Sequence, residues 1–250
     1  MRRIARFVFW VAIGLSTILL MAFIIWGLSP LKPMAEALEA SLSDPLVSVE
    51  FDNWMIFKPV TGNYDTGLIL YPGGHVDYRA YAPLAKEIAE NGYLVVIVPM
   101  PLSLAVLDSG AAEDVMVAFP GINFWAIGGH SLGGVMAANF ALNHPDQING
   151  LVLLAAYSAS SDNLATSSIK VLSISATLDG LSTPEKINSS MQRLPAGTTR
   201  VVIQGGNHAQ FGWYGNQPGD LPATISREKQ QSQIIQATLK FLGKLQENNN

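Results

Sequence analysis

The chain has 250 residues, a formal net charge of −4 and no cysteine. The lack of cysteine excludes disulfides, cysteine-based zinc sites and thiol nucleophiles, and the lack of a Lys/Arg cluster beyond the first six residues argues against nucleic acid as a partner. Charged residues make up only 14% of the chain, against about 25% in an average soluble domain. Part of the chain is therefore expected to lie in an apolar environment.

The excess of apolar residues is concentrated at the N-terminus. Three arginines precede an uncharged run at 7–28, which as a helix covers about 33 Å and matches a hydrocarbon core of about 30 Å. We interpret 1–28 as a membrane anchor whose residues 7–28 contact the lipid bilayer. The alternative is a cleaved signal peptide with 35–37 as its small-x-small site, but a signal sequence has an apolar run of only about 7–15 residues.

The distribution of basic residues predicts the orientation of this anchor. The arginines lie before the apolar run, and Lys32 is the only basic residue between that run and Lys58. By the positive-inside rule, the N-terminus is cytoplasmic and the main domain lies on the outer side of the cell membrane. Residues 29–45 contain three prolines and are predicted to be a linker, and 46–247 form one domain.

Beyond the linker, short β-rich runs alternate with amphipathic helical stretches. Five of these runs are continuously apolar, which is typical of strands covered on both faces. The alternation predicts an α/β fold with a mostly parallel central sheet and helices on both faces. The predicted strands are 47–51, 54–60, 68–71, 94–99, 124–127, 151–155, 171–176 and 200–204, and the predicted helices include 81–90, 135–142 and 226–245.

The most informative motif is a G-x-S-x-G pattern between the fifth predicted strand and the helix at 135–142. It reads Gly129-His-Ser-Leu-Gly133. In this context the serine is held on a sharp, strained turn, and the N-terminus of the following helix favours negative charge beside it. The motif predicts that Ser131 is a nucleophile.

A serine nucleophile needs a base, and the strand–turn–helix context places the acid and then the histidine after the serine. His208 follows the last predicted strand in a glycine-rich loop and is the predicted base. Asp179 follows the strand at 171–176, at the carboxyl end where sites form in open α/β sheets, and is the predicted acid. Asp162, after the preceding strand, is the alternative acid.

Two backbone N–H groups are candidates for an oxyanion hole. The strand at 68–71 runs into a glycine pair, and Gly74 can bring a bare N–H group toward the serine. Leu132, directly after the nucleophile, supplies the second N–H group. The apolar loop at 100–107 and the aromatic residues at 211–214 are candidate walls of an acyl pocket.

From about residue 68 to 245 the chain resembles the α/β-hydrolase superfamily, in particular its bacterial fold-5 or dienelactone-hydrolase-like branch. The resemblance implies a triad of Ser131, Asp179 and His208 and an oxyanion hole of Gly74 and Leu132. Dienelactone hydrolases have cysteine at the nucleophile position, so their lactone substrate is not carried over. The connection after the strand at 151–155 is too short for a separate cap domain. The motifs that carry the resemblance are Tyr71-Pro-Gly-Gly-His75, Gly129-His-Ser-Leu-Gly-Gly134, Thr177-Leu-Asp-Gly180 and Gly206-Asn-His208.

These features together predict a membrane-anchored serine hydrolase that acts on a small-molecule ester or other acyl compound through an acyl-enzyme. Such chemistry needs no cofactor and no metal. Two alternatives stay open: an acyltransferase that passes the acyl group from the same triad to an acceptor other than water, and a non-catalytic, membrane-tethered binding protein.

Overall fold

The computed structural model describes residues 2–62 and 64–246. Its helices are α1 (Arg2–Gly27), α2 (Ala35–Ala40), α3 (Ala82–Glu90), α4 (Ala112–Ala118), α5 (Leu132–Asn143), α6 (Pro184–Ser190) and α7 (Arg227–Gln246). Its strands are β1 (Val47–Phe51), β2 (Met55–Pro59), β3 (Thr66–Tyr71), β4 (Leu94–Ile97), β5 (Phe124–His130), β6 (Gly150–Leu154), β7 (Lys170–Ala176) and β8 (Thr199–Ile203).

The eight strands form one sheet in the order β1-β2-β4-β3-β5-β6-β7-β8. β1 and β2 are antiparallel to their neighbours, and β3 to β8 run parallel. The carboxyl ends of the parallel strands therefore lie along one edge of the sheet. Parallel sheets of this kind form their sites at that edge.

Both faces of the sheet are covered by helices. Successive side chains of a strand point to opposite faces, so each strand contributes to both cores. In β3, Leu68 and Leu70 pack into the hydrophobic core shared with α3 and α7, whereas Ile69 and Tyr71 pack into the core shared with α4 and α5. All six residues of β3 are buried. The continuous apolar runs of the sequence are thus explained by a sheet between two layers of helices.

The predicted fold class and all eight predicted strands are confirmed. β5 continues to His130, three residues beyond its predicted end, because Gly129 and His130 still pair with β6. α5 begins at Leu132 rather than at residue 135, immediately after the predicted nucleophile. α4 was not predicted, because only Ala112 and Val115 of its seven residues are buried and so leave little periodicity.

The connection between β6 and β7 is short, as predicted. All of residues 155–169 are described by the structure, and they contain no helix or strand. No cap domain is therefore inserted at this position.

The segment at 29–45 lies against the domain. The Leu31 N–H group donates to the carbonyl of His75 at 2.9 Å, and the Asp77 N–H group donates back to Leu31 at 3.0 Å. The Met34 N–H group donates to the carbonyl of Trp213 at 2.8 Å. The first part of the predicted linker is thus held on the domain by backbone hydrogen bonds, and α1 precedes it.

Candidate active site

Ser131 occupies the tight turn between β5 and α5. Its backbone has φ 51° and ψ −121°, a conformation that costs energy for a residue with a side chain. The turn is fixed on both sides: the Ser131 N–H group donates to the carbonyl of Leu154 at 3.0 Å, and the Val135 N–H group donates to the carbonyl of Ser131 at 3.1 Å. The half-buried serine is therefore held at the carboxyl edge of the sheet.

Glycines on either side of Ser131 permit this geometry. A Cβ atom on Gly129 would overlap the backbone of Gly133, and a Cβ atom on Gly133 would overlap the carbonyl oxygens of Tyr71 and Pro72. The first turn of α5 therefore packs directly against the backbone that follows β3. This contact brings the glycine loop after β3 beside the turn of Ser131.

The two predicted oxyanion donors lie close together. A Cβ atom on Gly74 would be 3.1 Å from Leu132 Cδ2 and 3.4 Å from Leu132 Cβ. Within residues 2–62 and 64–246, neither the Gly74 N–H group nor the Leu132 N–H group donates a hydrogen bond to the protein. Leu132 is also the first residue of α5, where the helix dipole favours negative charge.

Asp179 and His208 form a fully buried pair. His208 Nδ1 lies 2.8 Å from Asp179 Oδ2, and both side chains are shielded from solvent. The other carboxylate oxygen, Asp179 Oδ1, accepts from the N–H groups of Leu181 and Ser182 at 2.8 and 2.7 Å. Because Nδ1–H donates to the carboxylate, the second ring nitrogen, Nε2, carries the lone pair of a base.

No hydrogen bond joins Ser131 to this pair within the described residues. His208 Nε2 is buried and has no hydrogen-bond partner in the described part of the chain. The ring of His130, the residue before Ser131, lies 4.5 Å from the ring of His208 between centroids. The serine and the imidazole thus belong to one corner of the molecule, and hydrogen bonds of this type are commonly loose without substrate.

Asp162, the alternative acid, lies elsewhere. Its carboxylate accepts from Asn139 Nδ2 at 3.0 Å and from the Ser161 hydroxyl at 2.7 Å. Both of its oxygens are thereby occupied by polar side chains that do not belong to the His208 loop.

Comparison with known proteins agrees with this architecture. A family model described as "Alpha/beta hydrolase family" matches residues 67–232. The chain belongs to the α/β-hydrolase family. A predicted CIB-like hydrolase from Thermoplasma acidophilum has a similar structure, with a TM-score of 0.59, 17% identity and coverage of 78% of this chain and 97% of that one. TT1662 from Thermus thermophilus gives a TM-score of 0.58, 14% identity and coverage of 81% and 99%. No curated protein matches the sequence.

A buried tyrosine supports the glycine loop of this α/β-hydrolase. The hydroxyl of Tyr81 accepts from the Gly73 N–H group at 2.9 Å and lies 2.8 Å from His130 Nδ1. Burial lowers the pKa of His130 well below its ordinary value, and His208 lowers it further. His130 is therefore neutral, and its Nδ1 shares a hydrogen bond with the tyrosine hydroxyl. The sequence offered no sign of this chain of hydrogen bonds, because its members are 8 and 49 residues apart.

Asp220 is a second residue that the sequence did not reveal. Its Oδ1 accepts from the Gly180 N–H group at 3.0 Å, and its Oδ2 accepts from the Ala209 N–H group at 2.8 Å. Gly180 and Ala209 directly follow Asp179 and His208. One carboxylate thus connects the two loops that carry the buried pair. Asp220 follows a Pro-Gly turn rather than a strand, so no positional rule pointed to it.

The two candidate walls of an acyl pocket differ in the structure. Phe211, Trp213 and Tyr214 are all buried, and Phe211 stacks on His130 with centroids 5.7 Å apart, so these aromatic residues pack beneath the site. The loop at 100–107 instead reaches the glycine loop, where Leu104 Cδ2 would lie 3.8 Å from a Cβ atom on Gly74. Within the described residues, no group of three or more His, Asp or Glu side chains is placed to hold a metal ion.

Proposed function

We propose that this α/β-hydrolase cleaves an ester or other acyl compound with Ser131 as nucleophile, His208 as base and Asp179 as the acid that orients it. The observation that carries the proposal is the buried Asp179–His208 hydrogen bond of 2.8 Å beside the strained turn of Ser131. The order of the three residues in the chain also fits this fold.

The reaction has two halves. Ser131 Oγ attacks the carbonyl carbon while His208 Nε2 takes the hydroxyl proton, and His208 then returns that proton to the departing alcohol. Water subsequently attacks the acyl-enzyme and loses a proton to Nε2, and this proton passes to Ser131 Oγ as the carboxylic acid leaves. Asp179 keeps Nδ1 protonated throughout and stabilises the imidazolium.

The N–H groups of Gly74 and Leu132 supply the oxyanion hole in this proposal. Neither group has a protein acceptor among the described residues, and both belong to backbone segments that the contact between Gly133 and the end of β3 holds together. Fixed donors of this kind stabilise the negative charge that develops on the carbonyl oxygen.

The proposal also places the enzyme in a membrane. The helix at Arg3–Gly27 is long and apolar enough to span a bilayer, and none of its most apolar window is buried by the protein. A signal sequence has similar composition, but here the helix end contacts the domain and the apolar run has the length of a full span. The arginines before the helix favour a hydrolase domain on the outer side.

Labelling by a fluorophosphonate tests the assignment of Ser131. We expect the full chain to be labelled and Ser131→Ala to lose both labelling and ester turnover, the latter by several orders of magnitude. Ser103→Ala is the matched control, because Ser103 is another serine with a left-handed backbone (φ 57°). The Ser103→Ala chain should still be labelled. Unchanged labelling of Ser131→Ala would refute the nucleophile, and an unlabelled native chain would favour a binding protein.

A further inference from the structure

The end of α1 is attached to the glycine loop of the site. The indole of Trp26 stacks on the imidazole of His75, with centroids 4.1 Å apart and an angle of 10° between the planes. His75 Nε2 lies 2.8 Å from the carbonyl oxygen of Trp26. His75 directly follows Gly74, the proposed oxyanion donor. The helix that is apolar enough to span a membrane thus ends in contact with the loop that carries this proposed oxyanion donor.

A second contact joins α1 to the loop after β4. A Cβ atom on Gly27 would lie 2.7 Å from Leu102 Cβ, so only a glycine allows the helix end to approach so closely. Leu102 and Ser103 both have left-handed backbones, with φ values of 50° and 57°. Such conformations persist where the surroundings impose them. We name residues 101–107 the rim loop.

The rim loop is apolar and partly uncovered. Its sequence, Pro-Leu-Ser-Leu-Ala-Val-Leu, contains no charged residue. Val106 is 55% exposed and Leu107 is 51% exposed, and neither belongs to the hydrophobic clusters of the described residues. Neighbouring apolar side chains that are exposed beside a membrane anchor are typical of a surface that enters the bilayer interface.

The same loop borders the site. The His75 N–H group donates to the carbonyl of Ser103 at 2.8 Å, and Leu104 approaches Gly74. The apolar run of α1 ends at Leu28, and Trp26 is the kind of residue that lies at the membrane–water interface. The rim loop, in contact with Gly27, is therefore at the depth of the interface when α1 spans the membrane.

We propose that the rim loop inserts into the bilayer that holds α1, and that the site takes its substrate from this bilayer: an ester whose long acyl chain is dissolved in the membrane. The substrate class rests on the proposed catalytic function, whereas the insertion of the loop rests only on the proposed membrane anchoring by α1. A long-chain ester that partitions into the interface reaches Ser131 by passing along the rim loop, without leaving the lipid for water.

Depth measurement tests the insertion directly, and the absence of cysteine makes a single label unique. Val106→Cys carries an environment-sensitive fluorophore in the full chain, reconstituted in phosphatidylcholine/phosphatidylglycerol vesicles that contain brominated lipids. Val60→Cys is the matched control, because Val60 is 53% exposed and follows β2, whose antiparallel direction places it at the opposite edge of the sheet. We expect strong quenching at 106 and none at 60. Equal fluorescence in brominated and ordinary lipid at 106 would overturn the insertion.

Kinetics test the substrate class. We expect Val106→Ser/Leu107→Ser to lower kcat/KM about tenfold more for p-nitrophenyl palmitate in vesicles than for p-nitrophenyl acetate in solution. Val60→Ser should change neither value. Equal losses on both esters, or none, would overturn the membrane-derived substrate, as would a native chain that reacts with fluorophosphonate but does not turn over the palmitate.

Failure of the proposed function gives a different result. If the native chain neither reacted with fluorophosphonate nor cleaved either ester, the proposed hydrolase activity would be refuted, and the substrate class with it. The quenching at position 106 would still decide whether the rim loop enters the membrane.

Discussion

Asp220 connects, through single hydrogen bonds, the loops of Asp179 and His208, the proposed acid and base. Its two oxygens receive the N–H groups of Gly180 and Ala209, each one residue beyond a member of the buried pair. Asp220→Asn keeps the size of the side chain but replaces one acceptor oxygen with a donor NH₂ group, which must face an N–H group. We expect the loops of Asp179 and His208 to separate slightly and kcat to fall about tenfold or more, because small misplacements of reacting groups are costly.

The kinetic pattern distinguishes positioning from general damage. KM of Asp220→Asn should stay within about twofold of the native value, and the rate of fluorophosphonate labelling should fall together with kcat. The control is Asp162→Asn, a buried aspartate whose partners, Asn139 and Ser161, lie outside the site. Its kcat should remain near the native value. If Asp220→Asn kept the native kcat and labelling rate, the connection that Asp220 makes between the two loops would have no role in catalysis.

At the residue scale, what could be predicted depended on position in the fold. Ser131, Asp179 and His208 each follow a strand, so topology alone predicted that they lie along one edge of the sheet. Asp220 and Tyr81 act by hydrogen bonds to backbone N–H groups 40, 11 and 8 residues away. Nothing in the spacing of residue types encodes such contacts, because any nearby carboxylate or hydroxyl could make them.

At the scale of elements, the contact between α5 and the end of β3 holds the turn of Ser131 and the glycine loop at 73–74 together. Gly133 lies in the first turn of α5, where alanine would favour the helix by about 1 kcal/mol over glycine. A Cβ atom at this position would overlap the carbonyl oxygens of Tyr71 and Pro72, which as backbone atoms cannot rotate away. Helix propensity and packing therefore predict opposite effects of Gly133→Ala.

We expect packing to prevail in Gly133→Ala. Overpacking of about 1–3 kcal/mol corresponds to a fall in Tm of roughly 2–12 °C for a chain of this size, and displacement of Gly74 should also abolish turnover. Thermal unfolding of the purified full chain in detergent measures the effect. Gly197→Ala is the control, since nothing lies within 4 Å of a Cβ atom there and its Tm should not fall. A rise in Tm for Gly133→Ala would show that the two elements are not tightly packed.

The elements themselves were predictable to different degrees. The strands of the sheet were evident because both of their faces are buried and their sequences are continuously apolar. The predicted start of α5, at residue 135, is three residues too late, because the glycines of the motif have low helix propensity and give no helical pattern. α4 has too few buried residues to produce a helical pattern, so only its packing against the sheet identifies it.

For the whole molecule, the apolar run at 7–28 was evident from composition, but its relation to the domain was not. A run that faces lipid is apolar on all sides, so its pattern does not show which end touches protein. In the structure, Trp26 stacks on His75, and Leu31 forms backbone hydrogen bonds beside the glycine loop. The sequence pattern indicates neither contact. α1, the segment at 29–45 and the glycine loop are thereby joined in one continuous arrangement.

This arrangement has a direct consequence for topology, and a chain without cysteine allows it to be tested with single labels. If α1 spans the membrane with its arginines inside, Gln192→Cys on the exposed surface of the domain should react with a membrane-impermeant maleimide in intact cells. Ala5→Cys, before the span, should react only after the membrane is permeabilised. A cysteine at position 5 that never labels the mature chain would indicate cleavage of the segment, and labelling of position 5 but not 192 in intact cells would reverse the orientation. A cleaved chain would lack Trp26 and therefore its contact with His75. We therefore expect residue 5 to be retained on the labelled protein.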